Sequence, residues 1–257
     1  MNTIAQAFEG HKAFVAFLTC GDPDLDTTEQ LILAMDKAGA DLIELGVPFS
    51  DPTAEGPVIM AASERALQAG TTTDRIFQMV GSIRARVRAP LAMMTYANVV
   101  FSYGTERYLA AAQAAGIAAL ILPDVPFEEK AEFAPACRAH GIQFISLVAP
   151  TSKERIQMIA SQAEGFVYLV SSLGVTGARA EITTDIGEMV GRIREATNLP
   201  VAVGFGISTP EQARAMAQQA DGVIVGSAIV KLIAEHGKNA VEPVKAYIRA
   251  MKQAIAD

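Results

Sequence analysis

The sequence predicts an α/β chain folded as a single (β/α)8 TIM barrel with an extra N-terminal helix, one domain over residues 1–257. Three observations lead there. Eight apolar segments of strand length occur in order, a helical pattern follows each of them, and the total of 257 residues suits an architecture that typically takes roughly 250.

The elements follow in chain order. Met1 to Glu9 has the spacing of a short amphipathic helix, and Ala13 to Thr19 (AFVAFLT) reads as a buried strand ended by the turn CGDP. Leu25 to Ala38 is helical and stops at Gly39, where a left-handed residue closes a helix most easily. The second strand spans Asp41 to Val47. Helices over Val58 to Ala69 and Thr73 to Val87 lead to the strand Pro90 to Tyr96, and a mostly helical stretch, Ala97 to Ala115, to the strand Ala118 to Asp124. Helix Glu128 to Ala139, strand Gln143 to Ala149, helix Ser152 to Gln162 and strand Phe166 to Ser172 come next. Helix Asp185 to Thr197, strand Pro200 to Gly206, helix Thr209 to Gln219, strand Gly222 to Ala228 and a helical C-terminus complete the order. A weak internal echo (AGADLIELG, AAGIAALILP, AEGFVYLVS, QADGVIVGS) sets a small residue before four of the strands, where a helix ends and the chain reverses. The competing architecture, an open doubly wound sheet, usually carries a glycine-rich first loop, and the first strand here ends in CGDP instead.

Composition narrows the function. The chain is 51% hydrophobic with a formal net charge of −7, and its mean hydropathy is +0.26. The acidic balance and the lack of a basic run argue against nucleic acid as a partner. No apolar run is long enough to span a bilayer, and the first twelve residues lack a signal-peptide pattern, so no membrane association and a cytoplasmic location are expected. Cys20 and Cys137 fit no disulfide or metal spacing and read as ordinary reduced thiols.

In a barrel the chemistry gathers at the C-terminal strand ends. Alternation in DLIELGV puts Ile43, Leu45 and Val47 on one face and Leu42, Glu44 and Gly46 on the other, so Glu44 points into what the strand lines. A carboxyl group there loses hydration and its pKa rises, which suits a proton carrier near neutral pH. A structural glutamate paired with a neighbouring arginine is the other reading of the same residue. The loop that follows adds Asp51 and Glu55. Strand ends elsewhere carry Phe17, Thr19, Tyr96, Asn98, Asp124 and Tyr168, and the aromatic residues Phe17, Tyr96 and Tyr168, with Leu18, either fill the barrel or form an apolar slot for a flat ring. Gly204, Gly206, Gly226 and Ser227 end the last two strands, where backbone N–H groups and a helix N-terminus can hold an anion. Any one of these glycines could serve only close packing at a strand end; both clusters on consecutive strands favour a phosphorylated small molecule as substrate. The eight lysines and three histidines fall away from the strand ends, which disfavours Schiff-base and metal-dependent aldol chemistry and leaves carboxylate acid–base catalysis led by Glu44. The long glycine-containing loop Ser171 to Thr184 reads either as a lid or as a surface loop; its place before the phosphate-binding strands favours the lid.

The segments FLTCGDP, IELGVPFSDPTAEGP, MTYANVVF, PDVPFEE, GVTG and VGFGISTPEQ together resemble the tryptophan synthase α subunit family, and the likeness runs essentially end to end. The resemblance implies retro-aldol cleavage of indole-3-glycerol phosphate to indole and glyceraldehyde 3-phosphate in L-tryptophan biosynthesis. It implies a β-subunit partner in an α2β2 heterotetramer, with pyridoxal phosphate held by that partner and no cofactor in this chain. Residue by residue, it implies catalytic roles for Glu44 and Glu55 and an indole site flanked by Phe17 and Tyr168, with Tyr96 nearby. It also implies lid residues Thr176 and Gly177, phosphate contacts at Gly206, Gly226 and Ser227, and a partner-facing surface at Pro48, Asp51 and Asn98. The family's second acid is normally aspartate; Glu55 here is longer by one methylene, a reach of about 1.5 Å, and Thr53 and Met60 also depart from the usual pattern. Two functions follow: an active lyase subunit, or a subunit that binds the phosphorylated ligand, turns it over weakly and regulates the β chain. A barrel isomerase acting on a phospho-sugar leaves the aromatic slot unexplained.

Overall fold

The computed structural model describes residues 4–170, 185–204 and 206–256. In chain order the elements are β1 (Ala13–Thr19), α1 (Leu25–Ala38), β2 (Leu42–Gly46), α2 (Pro57–Gln68), α3 (Thr73–Ile83), β3 (Leu91–Met94), α4 (Ala97–Tyr103) and α5 (Thr105–Ala114). They continue with β4 (Ala119–Ile121), α6 (Ala134–Ala139), β5 (Gln143–Phe144), β6 (Ser146–Val148), α7 (Lys153–Ser161), β7 (Val167–Val170), α8 (Ile186–Arg194), β8 (Val201–Gly204), α9 (Pro210–Ala217), β9 (Gly222–Val225), α10 (Ser227–His236) and α11 (Val241–Ala256).

All strand pairs are parallel, in the order β5-β4-β3-β2-β1-β9-β8-β7-β6. The two ends of that order, β5 and β6, are consecutive in the chain and separated by Ile145 alone, whose N–H still bonds Leu120 O of β4 at 3.0 Å. The single strand expected over Gln143 to Ala149 is thus split: its first half pairs backward with β4 and its second half forward with β7. Through that one covalent step the ring of the TIM barrel closes.

Alternation sorts the core into an inside and an outside. Val15, Leu42, Ala92, Ile121, Tyr168, Ala202 and Ile224 share the lumen. Phe14, Leu18, Ile43, Leu45, Met93 and Val223 face out onto the helices, among them Leu31, Ile32 and Met35 of α1. Leu18 therefore belongs to the outer layer, not to a lumenal slot. The N-terminal helix expected over Met1 to Glu9 is a five-residue 3-10 helix, Ile4–Phe8, in the described residues. Gly10, at φ +73, ends it before an α-helix has room to grow. Ile4 and Ala7 close the N-terminal mouth of the barrel, with Phe8 against Phe166 at 5.4 Å between ring centroids. The long helix expected after the third strand breaks at Gly104 (φ +90) into α4 and α5.

Candidate active site

At the C-terminal mouth a cavity is lined by Phe17, Ala54, Glu55, Ile59, Met94, Pro123, Leu147, Tyr168, Gly206, Ile207, Ile224, Gly226 and Ser227. Its walls are mostly apolar with one carboxyl group, two hydroxyls (Tyr168 and Ser227) and two glycines, the composition of a site for a flat apolar body with a polar tail.

Glu44 lies on the lumenal face of β2 and is not itself among the lining residues, but two of those residues, Phe17 and Tyr168, adjoin it. It is wholly buried, and neither carboxyl oxygen has a hydrogen-bond partner among the described residues. Burial pushes its pKa up to about 8, because an isolated carboxylate loses its hydration there and gains nothing in return. The structural reading, a glutamate paired with an arginine, finds no such pair among the described residues. Its strand neighbour is Phe17 of β1. Tyr168 is close enough that a charged Glu44 raises the tyrosine's pKa further, after burial itself.

Glu55 sits in the loop before α2 and is partly buried. Loss of hydration raises its pKa to about 7, offset in part by a hydrogen bond from Tyr96. The Tyr96 hydroxyl is also within 3.2 Å of the Ala54 N–H. Tyr96 thus holds the loop that carries the second carboxyl group and is not among the residues lining the cavity. Both acids are raised by the same cause, loss of hydration; Glu55 alone has a hydrogen bond, from Tyr96, that opposes the rise.

The glycines divide into two jobs. A Cβ on Gly46 would stand 2.6 Å from Phe17 Cζ, and one on Gly204 would stand 2.7 Å from Tyr168 Cε1. These two make room for the aromatic rings, and Gly204, expected near an anion, is not among the residues lining the cavity. Gly206 and Gly226 do reach the rim. Gly206 adopts φ +84, a conformation that favours glycine. Gly226 caps α10, and the first helical bond runs from Val230 N to Gly226 O at 3.0 Å. The N–H groups of Ser227, Ala228 and Ile229 therefore lack intrahelical acceptors and carry the positive end of the helix dipole. The loop between β8 and α9, which carries Gly206, is held by Tyr247, whose hydroxyl donates to Ser208 O at 2.9 Å.

Of the remaining expected residues, Thr176 and Gly177, with the whole segment Ser171 to Thr184, lie outside the described residues. Asp51, in the loop after β2, and Asn98, in the first turn of α4, are exposed, and Pro48, at the start of the loop after β2, is buried. Ile59, Met94, Leu147 and Ile224 line the cavity without having been singled out in the sequence. Met94 and Ile224 were reachable from strand alternation. Ile59 was not, since it comes from a helix that turns its N-terminal end over the mouth.

Comparison with known proteins gives a consistent family. The family model described as "Tryptophan synthase alpha chain" matches residues 4–256. The tryptophan synthase alpha chain of Lactiplantibacillus plantarum is 49% identical over 256 residues, covering 99% of this chain and 97% of the relative. That of Geobacter sp. strain M21 is 48% identical, covering 96% and 93%. Among solved structures, Mycobacterium tuberculosis tryptophan synthase superposes with a TM-score of 0.90 at 33% identity over 99% of this chain and 98% of that one. The Legionella pneumophila tryptophan synthase alpha chain gives 0.89 at 36% identity over 99% and 97%.

Proposed function

This chain belongs to the tryptophan synthase alpha chain family, and on that premise we propose which of its residues carry the reaction. The reaction is the retro-aldol cleavage of indole-3-glycerol phosphate to indole and glyceraldehyde 3-phosphate in L-tryptophan biosynthesis, a carbon–carbon lyase step. The proposal concerns the division of labour within the cavity.

Breaking the bond requires a proton on the indole ring carbon that bears the glycerol chain and removal of one from the adjacent hydroxyl. Glu44 is the group for both transfers. Its buried carboxyl group, without a hydrogen-bond partner among the described residues and with a pKa of about 8, exists in both forms near neutral pH, and that observation carries the reading. Glu55, at about 7 and anchored by Tyr96, accepts from the indole N–H while positive charge develops on the ring. Phe17 and Tyr168 flank the ring, and the phosphate rests on Gly206, Gly226 and the free N–H groups at the start of α10, with Ser227 donating its hydroxyl. Thr176 and Gly177 are assigned to a lid in the same reading.

The family implies a β-subunit partner. Pyridoxal phosphate belongs to that partner in this family, and no step given to this chain calls on it. The finer assembly we propose is an α2β2 heterotetramer in the cytoplasm, with this chain as one domain over residues 1–257. Its partner-facing surface would include Pro48, Asp51 and Asn98.

Binding and turnover separate under mutation. Ser227→Asp sets a carboxylate beside the phosphate and should raise KM on the order of tenfold or more with kcat little changed. Glu44→Gln should leave KM near wild type and remove kcat. If Ser227→Asp left KM unchanged, the phosphate end would have to be moved elsewhere.

A further inference from the structure

Asp22 occupies the turn after β1 and is 1% exposed. Arg65 of α2 forks onto it, Nε to Oδ1 and Nη2 to Oδ2, each at 2.8 Å. The turn is itself tied to the barrel: Cys20 N bonds Gly46 O at 2.8 Å, and Gly21 N bonds Thr28 Oγ1 at 2.9 Å. It also lies directly against the link between α2 and α3, since a Cβ on Gly21 would stand 2.0 Å from Thr71 Oγ1.

Helix α2 begins at Pro57, two residues after Glu55, and its Gly56 cap offers no side chain to fix the entry. Ile59 and Ala62 of α2 pack on Phe17 and Val230, but apolar contacts are non-directional and tolerate small slides. Two parallel charge-assisted hydrogen bonds do not; they fix both distance and rotation. The pair therefore sets where along its axis α2 stands.

We propose that Asp22 is a positioning residue for the reaction: acting through Arg65 it fixes α2, and with it the point at which the Glu55 carboxyl group meets the substrate. This rests on the reading of Glu55 as the second acid. The burial asymmetry chooses the variant, because Arg65 is 36% exposed at its side chain and Asp22 only 1%. Neutralising Asp22 leaves a cation that can turn to water, whereas removing Arg65 strands a buried anion.

The test is a mutant cycle on indole formation with the β subunit present, using Asp22→Asn, Glu55→Ala and the double variant, with kcat, KM and the pH dependence of kcat recorded for each. Asp22→Asn should lower kcat by about 10- to 100-fold, the cost of a small misplacement, hold KM within about twofold and displace the pH limb belonging to Glu55. In the Glu55→Ala background the same change should cost nothing further. A wild-type kcat for Asp22→Asn, or a loss that multiplies undiminished onto Glu55→Ala, overturns the positioning role and leaves Glu55 in place. A wild-type kcat for Glu55→Ala alone removes the second acid itself, and the positioning role with it. Should Asp22→Asn not fold, Arg65→Lys, which keeps the charge but loses the fork, runs the same cycle with the same outcomes.

Discussion

The ring of Phe17 lies over Gly46, its Cζ 2.6 Å from where a Cβ on that glycine would stand. The aromatic wall of the cavity and the strand that carries Glu44 are thus in contact at a point where only a hydrogen atom fits. Gly46→Ala, at a position with no positive φ to strain the backbone, should lift the ring into the indole slot. We expect KM to rise on the order of tenfold with a smaller effect on kcat, and stability to fall by about 1–3 kcal/mol from overpacking. Steady-state kinetics and urea unfolding would show both.

Glu44 makes stability depend on pH in an unusual direction. Its folded pKa, about 8, is raised above the ordinary carboxylate value. Between the two the folded chain holds a proton that the unfolded chain has released, so this contribution to stability is full at low pH and is lost as pH rises toward 8. Glu44→Gln lacks the loss. The variant should gain on wild type between pH 5 and pH 8, by on the order of a few kcal/mol, as measured by urea unfolding of both chains at the two pH values. A constant difference would place the carboxyl group in a wetter setting than the one described.

Tyr96 lowers the pKa of Glu55 through its hydrogen bond. Tyr96→Phe removes that bond, so the pKa of Glu55 should climb above about 7 and less of it should be ionised at neutral pH. The acid limb of the kcat profile should move up, and activity at pH 7 should fall about 2- to 6-fold for half a unit to a unit of displacement from about 7. A limb that stays in place would detach Tyr96 from the second acid.

Glu55 stands where the sequence resemblance leads one to expect aspartate, and its carboxyl group reaches Tyr96. The loop is fitted to the longer side chain. Glu55→Asp should therefore slow this enzyme, withdrawing the carboxyl group by about 1.5 Å and lowering kcat on the order of tenfold. A faster enzyme would mean that the loop follows the side chain.

Much of this was legible in the sequence, and particular residues show why. The strand AFVAFLT and the helix Leu25 to Ala38 matched to the residue because their ends carry hard signals: CGDP after the strand, Asp24 accepting from Thr27 N as a cap, and Gly39 at φ +102. Glu44 was found by alternation alone, since a period of two leaves a charged side chain no neutral place to face. That Tyr96 turns to Ala54 and that Gly204 lies against the Tyr168 ring was not legible, because position at a strand end says nothing of where a side chain turns. The split at Ile145 is a product of ring closure, and the Asp22–Arg65 fork joins residues far apart in the chain; local pattern holds neither.

The most direct measurement is indole release from indole-3-glycerol phosphate by wild-type and Glu44→Gln chains, each with and without a tryptophan synthase β subunit. Wild-type release that rises with the β subunit and disappears in Glu44→Gln, with substrate binding retained, is the predicted result. A wild-type chain that binds the substrate but releases no indole even with its partner would contradict it, and would leave a ligand-binding subunit that regulates the β chain.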